Sequence, residues 1–259
     1  MRVLVVIPTY REAENIGALL RQLRVTVPGA DLLVVDDGSD DGTTGFARVV
    51  GGELGRIDVL ERPVKDGLGR AYRAGFGWGL ERGYEVLVSM DADFSHDPKA
   101  LPGLLAAVGR GADLVIGSRY VPGGSIPEWP AYRRALSRYG NRYASFILGL
   151  DLSDVTSGYR AYRADALHVL YRREVRTGGY GALIEMAYRV AGTGAVVTEV
   201  PISFVDRQLG QSKMSGAIAL ETLWHVTRMG IMDRWQRPRR RVGRRLAAPT
   251  TTPRPPPPG

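Results

Sequence analysis

The feature that most constrains the fold is a regular alternation of apolar runs and helical stretches in the first half of the chain. Runs rich in valine, leucine and isoleucine recur at Val3–Ile7, Leu32–Val35, Ile57–Leu60, Val86–Met90 and Leu114–Ile116. The helical stretches between them are Glu12–Val25, Asp41–Val50, Gly67–Arg82 and Pro98–Gly109. Uniformly apolar strands suit a sheet that is covered on both faces. The order therefore predicts an α/β fold, with a Rossmann-like, mostly parallel sheet flanked by helices.

The alternation stops after Gly117, where a loop rich in glycine and proline begins. A helix is predicted at Tyr132–Leu148, another at Leu183–Ala191, and a last strand at Val196–Val200. Met214–Trp235 has the apolar spacing of an amphipathic C-terminal helix, with one stripe formed by Ala217, Leu220, Trp224, Thr227, Ile231 and Trp235. We expect these segments to complete a single domain that spans residues 1–233.

The net charge of +8 is concentrated at the C-terminal end. Residues 234–259 contain eight arginines and no acidic residue, whereas the rest of the chain has 27 basic and 27 acidic residues. Seven of the 16 prolines follow Trp235, so we expect a basic, proline-rich disordered tail at 234–259. A neutral body argues against a nucleic-acid partner. The absence of cysteine excludes disulfides and thiolate catalysis, and no apolar run is long enough for a transmembrane helix.

Acidic residues follow two of the predicted strands, at the edge where open α/β sheets bind their ligands. Asp36 and Asp37 end the second strand, and Asp91 and Asp93 follow the fourth. Carboxylates of this kind suit Mg²⁺ or Mn²⁺, which bind through one or two carboxylates together with substrate phosphates. The alternative is a solvated acidic turn. The single histidine among these acids, His96, is interpreted as a turn residue.

Basic residues follow in the second half of the chain and point to phosphate groups. Arg119 ends the fifth strand, Arg133 and Ser137 lie one helical turn apart, and Arg207 and Lys213 flank a glycine. Arginine and lysine match phosphate oxygens. Each of these residues alone is typical of a solvated surface, but together with a diphosphate-type metal site they indicate two phosphate-bearing substrates.

Eight motifs together resemble one known family. They occur in the order PTYREAENI, VVDDGSDDGT, GLGRAYRAG, MDADFSHDP, GSRYVPGG, WPAYRRALSRYGN, TSGYRAYR and DRQLGQSKM. This order is similar to that of the dolichol- and polyprenol-phosphate mannose synthases, which are inverting glycosyltransferases of the GT-A fold. The resemblance covers about residues 1–233. The WPAYRRALS and RQLGQSK runs narrow it to enzymes with lipid-phosphate acceptors.

The resemblance implies a role for each matching residue. Donor binding is assigned to Pro8, Tyr10, Glu12, Val35, Asp37, Asp91, Ala92, Asp93, Ser95, Arg119, Arg207 and Lys213. The implied metal ligands are Asp91, Asp93 and Ser95, although many relatives carry glutamine where this chain has Ser95. The acceptor phosphate is assigned to Arg119, Arg133 and Ser137. The implied catalytic set is Asp91, Asp93, Arg119, Arg133 and Ser137. Asp154, near TSG, is a further candidate for orienting the acceptor or the sugar.

The expected reaction is transfer of mannose from GDP-mannose to a polyprenyl phosphate with inversion, with Mg²⁺ or Mn²⁺ as cofactor. One alternative is a synthase that uses UDP-glucose or another sugar nucleotide. A second is a non-catalytic nucleotide-binding module. We expect peripheral attachment to the cytoplasmic face of a membrane, through the C-terminal helix and the arginine-rich tail or through a membrane-protein partner.

Overall fold

A computed structural model describes residues 1–172, 179–206 and 216–236. Its strands are β1 Val3–Thr9, β2 Asp31–Asp36, β3 Ile57–Glu61, β4 Val86–Ser89, β5 Leu114–Ser118, β6 Arg160–Arg163 and β7 Val197–Pro201. The six strands predicted from apolar runs are confirmed, with small differences at their ends. The additional strand is β6, whose sequence RAYR has no aliphatic run.

The predicted helices are also confirmed. They are α1 Ala13–Thr26, α2 Thr43–Leu54, α3 Leu68–Glu81, α4 Leu101–Gly109, α5 Ala131–Leu148, α8 Gly179–Ala191 and α9 Gly216–Gln236. Two short helices, α6 Ala164–Leu167 and α7 Val169–Arg172, were not predicted. The segment Pro98–Ala100 is a 3₁₀ turn ahead of α4, and the Asp97 carboxylate accepts a hydrogen bond from Lys99 N at its start.

The strands form one seven-stranded sheet in the order β3-β2-β1-β4-β6-β5-β7. Strand β6 runs antiparallel to both β4 and β5, and the other pairs are parallel. The mostly parallel α/β sheet with flanking helices is therefore confirmed. Because β1 lies between β2 and β4, the carboxyl ends of these three strands meet at one edge of the sheet.

Apolar side chains fill both faces of the sheet. One core joins the sheet to α1, α2 and α4, and the other joins it to α3 and α8. Helix α3 lies unusually close to the sheet, since a Cβ at Gly75 would be 2.3 Å from Val6 Cγ1 and one at Gly79 would be 2.6 Å from Leu87 Cδ2. A larger residue at either glycine would push α3 away from the strands that end at the candidate site.

Helices α5 and α9 pack together at one side of the domain, beside a smaller core that includes Val155 and Val226. On α9, Val226 faces that core, whereas Trp224 and Ile231 of the predicted apolar stripe are 58% and 52% exposed. None of the helices in the described ranges is long and apolar enough to cross a bilayer.

Candidate active site

The two acids at the end of β2, Asp36 and Asp37, are both buried and have different partners. Asp36 Oδ1 accepts hydrogen bonds from the hydroxyls of Thr9 and Ser39, at 2.8 and 2.6 Å, and Oδ2 accepts one from Ser39 N. These contacts join the ends of β1 and β2. Asp37 instead pairs with Arg62, whose Nη1 lies 2.5 Å from Asp37 Oδ1. Burial raises the pKa of Asp37 and outweighs the opposing effect of Arg62.

The residues after β1 form the neighbouring part of the predicted donor site. Tyr10 is half-buried, and Lys65 Nζ lies 3.7 Å from the centre of its ring. Glu12, also half-buried, accepts a hydrogen bond from Asn15 Nδ2 at its Oε2. The motifs did not single out Lys65 or Arg62, because isolated cations in a glycine-containing loop have no distinguishing pattern.

The remaining donor residues of this region are apolar. Pro8 lies within β1 and is half-buried, and Val35 lies within β2 and is fully buried. In the register of the sheet the two residues are directly paired. Their side chains form apolar surface at the strand ends and offer no polar atom.

The carboxylate turn, Asp91–Ser95, follows β4 directly. Asp93 is buried and its Oδ1 accepts a hydrogen bond from Ser95 N at 3.1 Å. Phe94 between them has a φ of 60°, a left-handed conformation that costs a bulky residue on the order of 1–3 kcal/mol. Ala92 is buried. The turn is therefore held in a strained shape that separates the two carboxylates by one buried residue.

The carboxylate oxygens of this turn are suitable ligands for a divalent cation. Asp91 is 33% exposed, and its Oδ1 accepts a hydrogen bond from the Tyr72 hydroxyl at 2.8 Å. Carboxylate oxygens are the hard ligands that Mg²⁺ and Mn²⁺ prefer. The described residues hold no cluster of three or more histidine, cysteine or acidic side chains placed to bind a metal. The three ligands that the resemblance implies, Asp91, Asp93 and Ser95, share this turn and would hold the ion together with oxygens from substrate and water.

His96 is a packed core residue of the turn. It is fully buried, stacks on Tyr159 at 5.0 Å between ring centres, and its Nδ1 accepts a hydrogen bond from Asp91 N at 3.3 Å. Burial lowers the pKa of His96, so the ring is neutral at physiological pH and carries its proton on Nε2. The sequence interpretation of His96 as a turn residue is corrected: it is a buried residue that bridges to Phe204 and fixes the Asp91 backbone.

The arginine cluster, defined here as Arg119, Arg133 and Trp129, lies beyond the end of β5. Arg119 forms a buried fork with Asp154, since its Nε lies 2.7 Å from Asp154 Oδ2 and its Nη2 lies 2.8 Å from Oδ1. Its backbone N–H also donates to Asp154. Burial opposes ionisation of Asp154, but the Arg119 charge and hydrogen bonds outweigh it and lower the pKa of this carboxyl. Asp154 is wholly buried and thus holds Arg119 in place.

Arg133 occupies the first turn of α5 and is more exposed. Its guanidinium carbon lies 3.9 Å from the centre of the Trp129 ring, and its Nη1 donates to Asp206 Oδ2 at 2.8 Å. The Trp129 indole N–H donates to the other oxygen of Asp206 at 2.7 Å. Arg119 also approaches Trp129, with its guanidinium carbon 5.8 Å from the ring centre. Two of the predicted acceptor cations therefore share one tryptophan.

Ser137 lies one turn after Arg133 on α5, as the spacing predicts, and it is half-buried. Its backbone oxygen accepts a hydrogen bond from Asn141 Nδ2. Asn141 also bonds Thr156, and the Thr156 hydroxyl accepts a hydrogen bond from Arg119 Nη2 at 2.7 Å. This network connects the end of β5 to α5.

One phenylalanine joins the carboxylate turn to the arginine cluster. The Phe204 ring lies 5.7 Å from the His96 ring and 5.8 Å from the Trp129 ring, measured between centres. The Arg119 guanidinium carbon lies 5.3 Å from the Phe204 ring centre. Val205 N donates to Ser95 O at 3.3 Å. Among the described residues, the structure thus brings Asp91, Asp93, Arg119 and Arg133 to one end of the sheet.

Two predicted donor residues, Arg207 and Lys213, lie outside the described residues. Sequence reasoning also missed Trp129, Asp206 and Tyr72. All three lie within the motifs of the resemblance, Trp129 in WPAYRRALSRYGN, Asp206 in DRQLGQSKM and Tyr72 in GLGRAYRAG. Their roles were missed because they depend on contacts between separate segments of the chain.

Comparison with known proteins identifies the family of this chain. Residues 4–171 match the family described as Glycosyl transferase family 2. The chain is 53% identical to an undecaprenyl-phosphate mannosyltransferase of Micrococcus luteus, over 94% of this chain and 100% of that protein. It is 48% identical to a polyprenol monophosphomannose synthase of Mycolicibacterium smegmatis, over 92% of this chain and 90% of the other.

A third relative and a solved structure extend the comparison. A dolichol-phosphate mannosyltransferase of Pyrococcus furiosus is 34% identical, over 88% of this chain and 64% of its own length. The structure of glucosyl-3-phosphoglycerate synthase from Mycobacterium tuberculosis with Mn²⁺, UDP-glucose and phosphoglyceric acid shares the fold, with a TM-score of 0.63 and 21% identity over 88% of this chain and 79% of that one. The chain belongs to glycosyl transferase family 2 and, within it, to the polyprenyl-phosphate mannosyltransferases.

Proposed function

We propose that this protein transfers mannose from GDP-mannose to a polyprenyl phosphate and inverts the anomeric centre, giving a β-linked polyprenyl phosphate mannose. One observation carries the proposal: a turn with two carboxylates and a pair of arginines on a shared tryptophan lie at the same end of the sheet, joined by Phe204. The names of the three relatives support a polyprenyl-phosphate acceptor and mannose as the sugar.

The nucleophile in this reaction is an oxygen of the acceptor phosphate. A phosphomonoester has a second pKa of about 6, so at neutral pH it is already largely dianionic. The reaction therefore needs no side chain to remove a proton. His96 is buried and neutral, and its Nδ1 accepts a hydrogen bond from the Asp91 backbone N–H. It is therefore not placed to act as a general base.

The side chains of the site act by placing two phosphate groups. Asp91 and Asp93 would hold Mg²⁺ or Mn²⁺, which when bound supplies positive charge to the diphosphate of the donor. Arg133, stacked against Trp129, would receive the acceptor phosphate, and Arg119, held in place by Asp154, would add a positive charge of fixed position. Fixed charges of this kind lower the barrier because they need no rearrangement during the reaction.

The test is a reaction of purified protein with GDP-mannose, Mg²⁺ or Mn²⁺, and a short, soluble polyprenyl phosphate. We expect a mannosylated lipid by mass spectrometry and a β linkage by NMR, with loss of product when a chelator is added. Parallel reactions with UDP-glucose and other sugar nucleotides provide the comparison. Preferred use of another donor, or a product with the α linkage, would contradict the proposal in its donor or its stereochemistry.

We also propose peripheral attachment to the cytoplasmic face of a membrane, where the acceptor lies. Helix α5 presents a largely exposed apolar face made of Tyr132, Leu136, Tyr139 and Phe146. The same helix contains four arginines and no acidic residue. On α9, Leu223, Trp224, Ile231 and Met232 are exposed. Apolar and aromatic side chains interleaved with arginine are typical of helices that lie in an anionic interface.

Liposome co-sedimentation tests this attachment and separates the helices from the tail. Leu136→Gln with Phe146→Gln should weaken binding to anionic vesicles, whereas Phe46→Gln, a change of an exposed aromatic residue on α2, should not. Truncation after Asp233 removes eight arginines, each worth on the order of 1 kcal/mol near an anionic surface. We expect the truncated form to lose vesicle binding and yet retain activity on a soluble acceptor. Equal, salt-insensitive vesicle binding by all forms would exclude both the helix face and the arginine-rich tail as membrane-binding surfaces.

A further inference from the structure

A buried tyrosine contacts one of the two carboxylates from below the site. Tyr72 lies on α3 and is fully buried, with its ring 5.9 Å from the Phe76 ring, centre to centre. Its hydroxyl donates to Asp91 Oδ1 at 2.8 Å. The close approach of α3 at Gly75 and Gly79 brings this hydroxyl up to the end of β4. Tyr72 therefore reaches the carboxylate turn from the core and not from solvent.

The hydrogen bond gives the two oxygens of Asp91 different surroundings. Oδ1 accepts from the phenol, whereas Oδ2 lies 3.9 Å from His96 Nδ1. A Cβ on Gly158 would be 3.4 Å from Oδ2 and 3.6 Å from Oδ1, so glycine leaves the space beside the whole carboxylate open. The backbone of Asp91 is held separately, through its N–H and His96 Nδ1. Together these contacts set both the position of the residue and the rotation of its carboxylate.

The phenol is a donor of fixed direction. A tyrosine hydroxyl is protonated at neutral pH, and the buried phenol directs this proton to Asp91 Oδ1. A protonated phenol donates to an ionised carboxylate, and this makes the Tyr72–Asp91 contact a charge-assisted hydrogen bond.

We propose that Tyr72 is a positioning residue that orients Asp91 toward the divalent cation and diphosphate of the donor. The inference rests on the proposed function, in which Asp91 and Asp93 hold that cation. Hydrogen bonds from outside a metal site fix the orientation of its ligands, and their removal commonly costs about 10- to 100-fold in metal affinity or activity. Tyr72 does not touch the reacting atoms in this scheme.

The experiment compares two tyrosine-to-phenylalanine variants. Tyr72→Phe removes the hydroxyl that bonds Asp91. Tyr84→Phe removes an equally short bond, from Tyr84 to Asp31 Oδ2 at 2.8 Å, at the opposite end of the sheet. Binding of Mn²⁺ in the presence of GDP is measured by electron paramagnetic resonance. We expect about a tenfold weaker affinity for Mn²⁺ in Tyr72→Phe and an unchanged affinity in Tyr84→Phe.

Kinetics then separate orientation from a general loss of structure. In Tyr72→Phe, the Mn²⁺ concentration for half-maximal activity should rise about tenfold while kcat at saturating Mn²⁺ stays near that of the parent protein. Thermal unfolding checks that both variants are folded. Unchanged Mn²⁺ affinity in folded Tyr72→Phe, or equal losses in both variants, would overturn the inference. If the parent protein itself bound no Mn²⁺ with GDP, the metal assignment in the proposed function would fail as well.

Discussion

The carboxylate turn and the arginine cluster carry opposite charges and are held by different kinds of partner. Asp91 and Asp93 accept hydrogen bonds from a phenol and a backbone amide, which are neutral donors. Arg119 and Arg133 are each paired with a carboxylate, Asp154 and Asp206 respectively. Neutral donors orient a carboxylate and leave its negative charge for a cation. A carboxylate partner holds an arginine in place but also competes for its charge.

The two arginine pairs differ from each other in burial, and this sets what each can do. The side chains of Arg119 and Asp154 are 7% and 0% exposed, whereas those of Arg133 and Asp206 are 30% and 40% exposed. A buried pair is costly to break, because the charge that remains is desolvated. An exposed pair contributes about 0–1 kcal/mol and exchanges readily. Arg119 is therefore a fixed charge, and Arg133 is the arginine that we expect a substrate phosphate to engage.

Breaking the buried pair should have the largest effect on stability. Asp154→Asn keeps the shape of the side chain and leaves Arg119 buried without its counter-charge, so we expect a loss of about 3–5 kcal/mol in the free energy of unfolding. Denaturant unfolding measures it. The matched variant is Asp206→Asn, which should lose no more than about 1 kcal/mol. Equal losses in the two variants would contradict the distinction between a fixed and an exchangeable arginine.

The same pair predicts a pH dependence. The folded-state pKa of Asp154 is lowered, so its contribution to stability is present above the ordinary carboxyl pKa of 3.8 and is lost as pH falls through the lower, folded-state value. The stability difference between the parent protein and Asp154→Asn should therefore be constant near neutral pH and become smaller below about pH 4. Unfolding curves recorded from pH 7 to pH 3 test this, and a difference that grows on acidification would exclude the assignment.

On the carboxylate side, Asp93→Asn should lower the rate of transfer about a hundredfold. The amide oxygen can still accept the hydrogen bond from Ser95 N, so the turn is retained while the negative charge is lost. A metal ion contributes several kcal/mol of charge stabilisation, and about 3 kcal/mol corresponds to a factor of roughly 100. Asp97→Asn is the control, since Asp97 caps the following 3₁₀ turn through Lys99 N. Steady-state rates of both variants are measured with the soluble acceptor. Full activity in Asp93→Asn would exclude Asp93 as a metal ligand.

The comparison also shows how far the sequence alone reaches. Aliphatic runs predict the six strands other than β6, and helical spacing predicts the long helices. Both patterns involve residues that are close together in the chain. Strand β6 was missed since its first residue, Arg160, is a fully buried cation in a short polar-looking segment. Its guanidinium donates to the backbone oxygens of Val155, Ser157 and Leu183, and only the folded chain provides them.

The site follows the same rule. Asp91, Asp93, Arg119 and Arg133 stand out as charges at strand and helix ends, where ligands bind in this class of fold. The partners of the two arginines lie 35 and 73 residues further along the chain, and no local pattern connects them. The type and position of the charged residues can therefore be predicted from the sequence. Their ion-pair partners, and the burial of each pair, depend on long-range packing.

On the arginine side, Arg133→Ala should raise the KM for the soluble polyprenyl phosphate about tenfold and leave the affinity for GDP-mannose unchanged. A charge-assisted contact to a phosphate is worth about 1.5–3 kcal/mol, and tenfold corresponds to the lower limit. Arg142→Ala, an exposed arginine on the same helix, is the control. Steady-state kinetics give the KM, and calorimetry gives the donor affinity. A collapse of donor affinity with an unchanged acceptor KM would assign Arg133 to the other substrate.

The smallest effect should come from removing the competitor of that phosphate. Asp206 occupies Arg133 Nη1 and the Trp129 indole N–H, so an incoming phosphate shares or displaces it. Asp206→Asn retains an oxygen that can accept from Trp129 but removes the negative charge that repels the phosphate. Because the pair is partly exposed, the gain is limited to less than about 1 kcal/mol, which lowers the acceptor KM about threefold. If the KM rose instead, Asp206 would serve Arg133 as a fixed support, and the two arginine pairs would then differ only in burial.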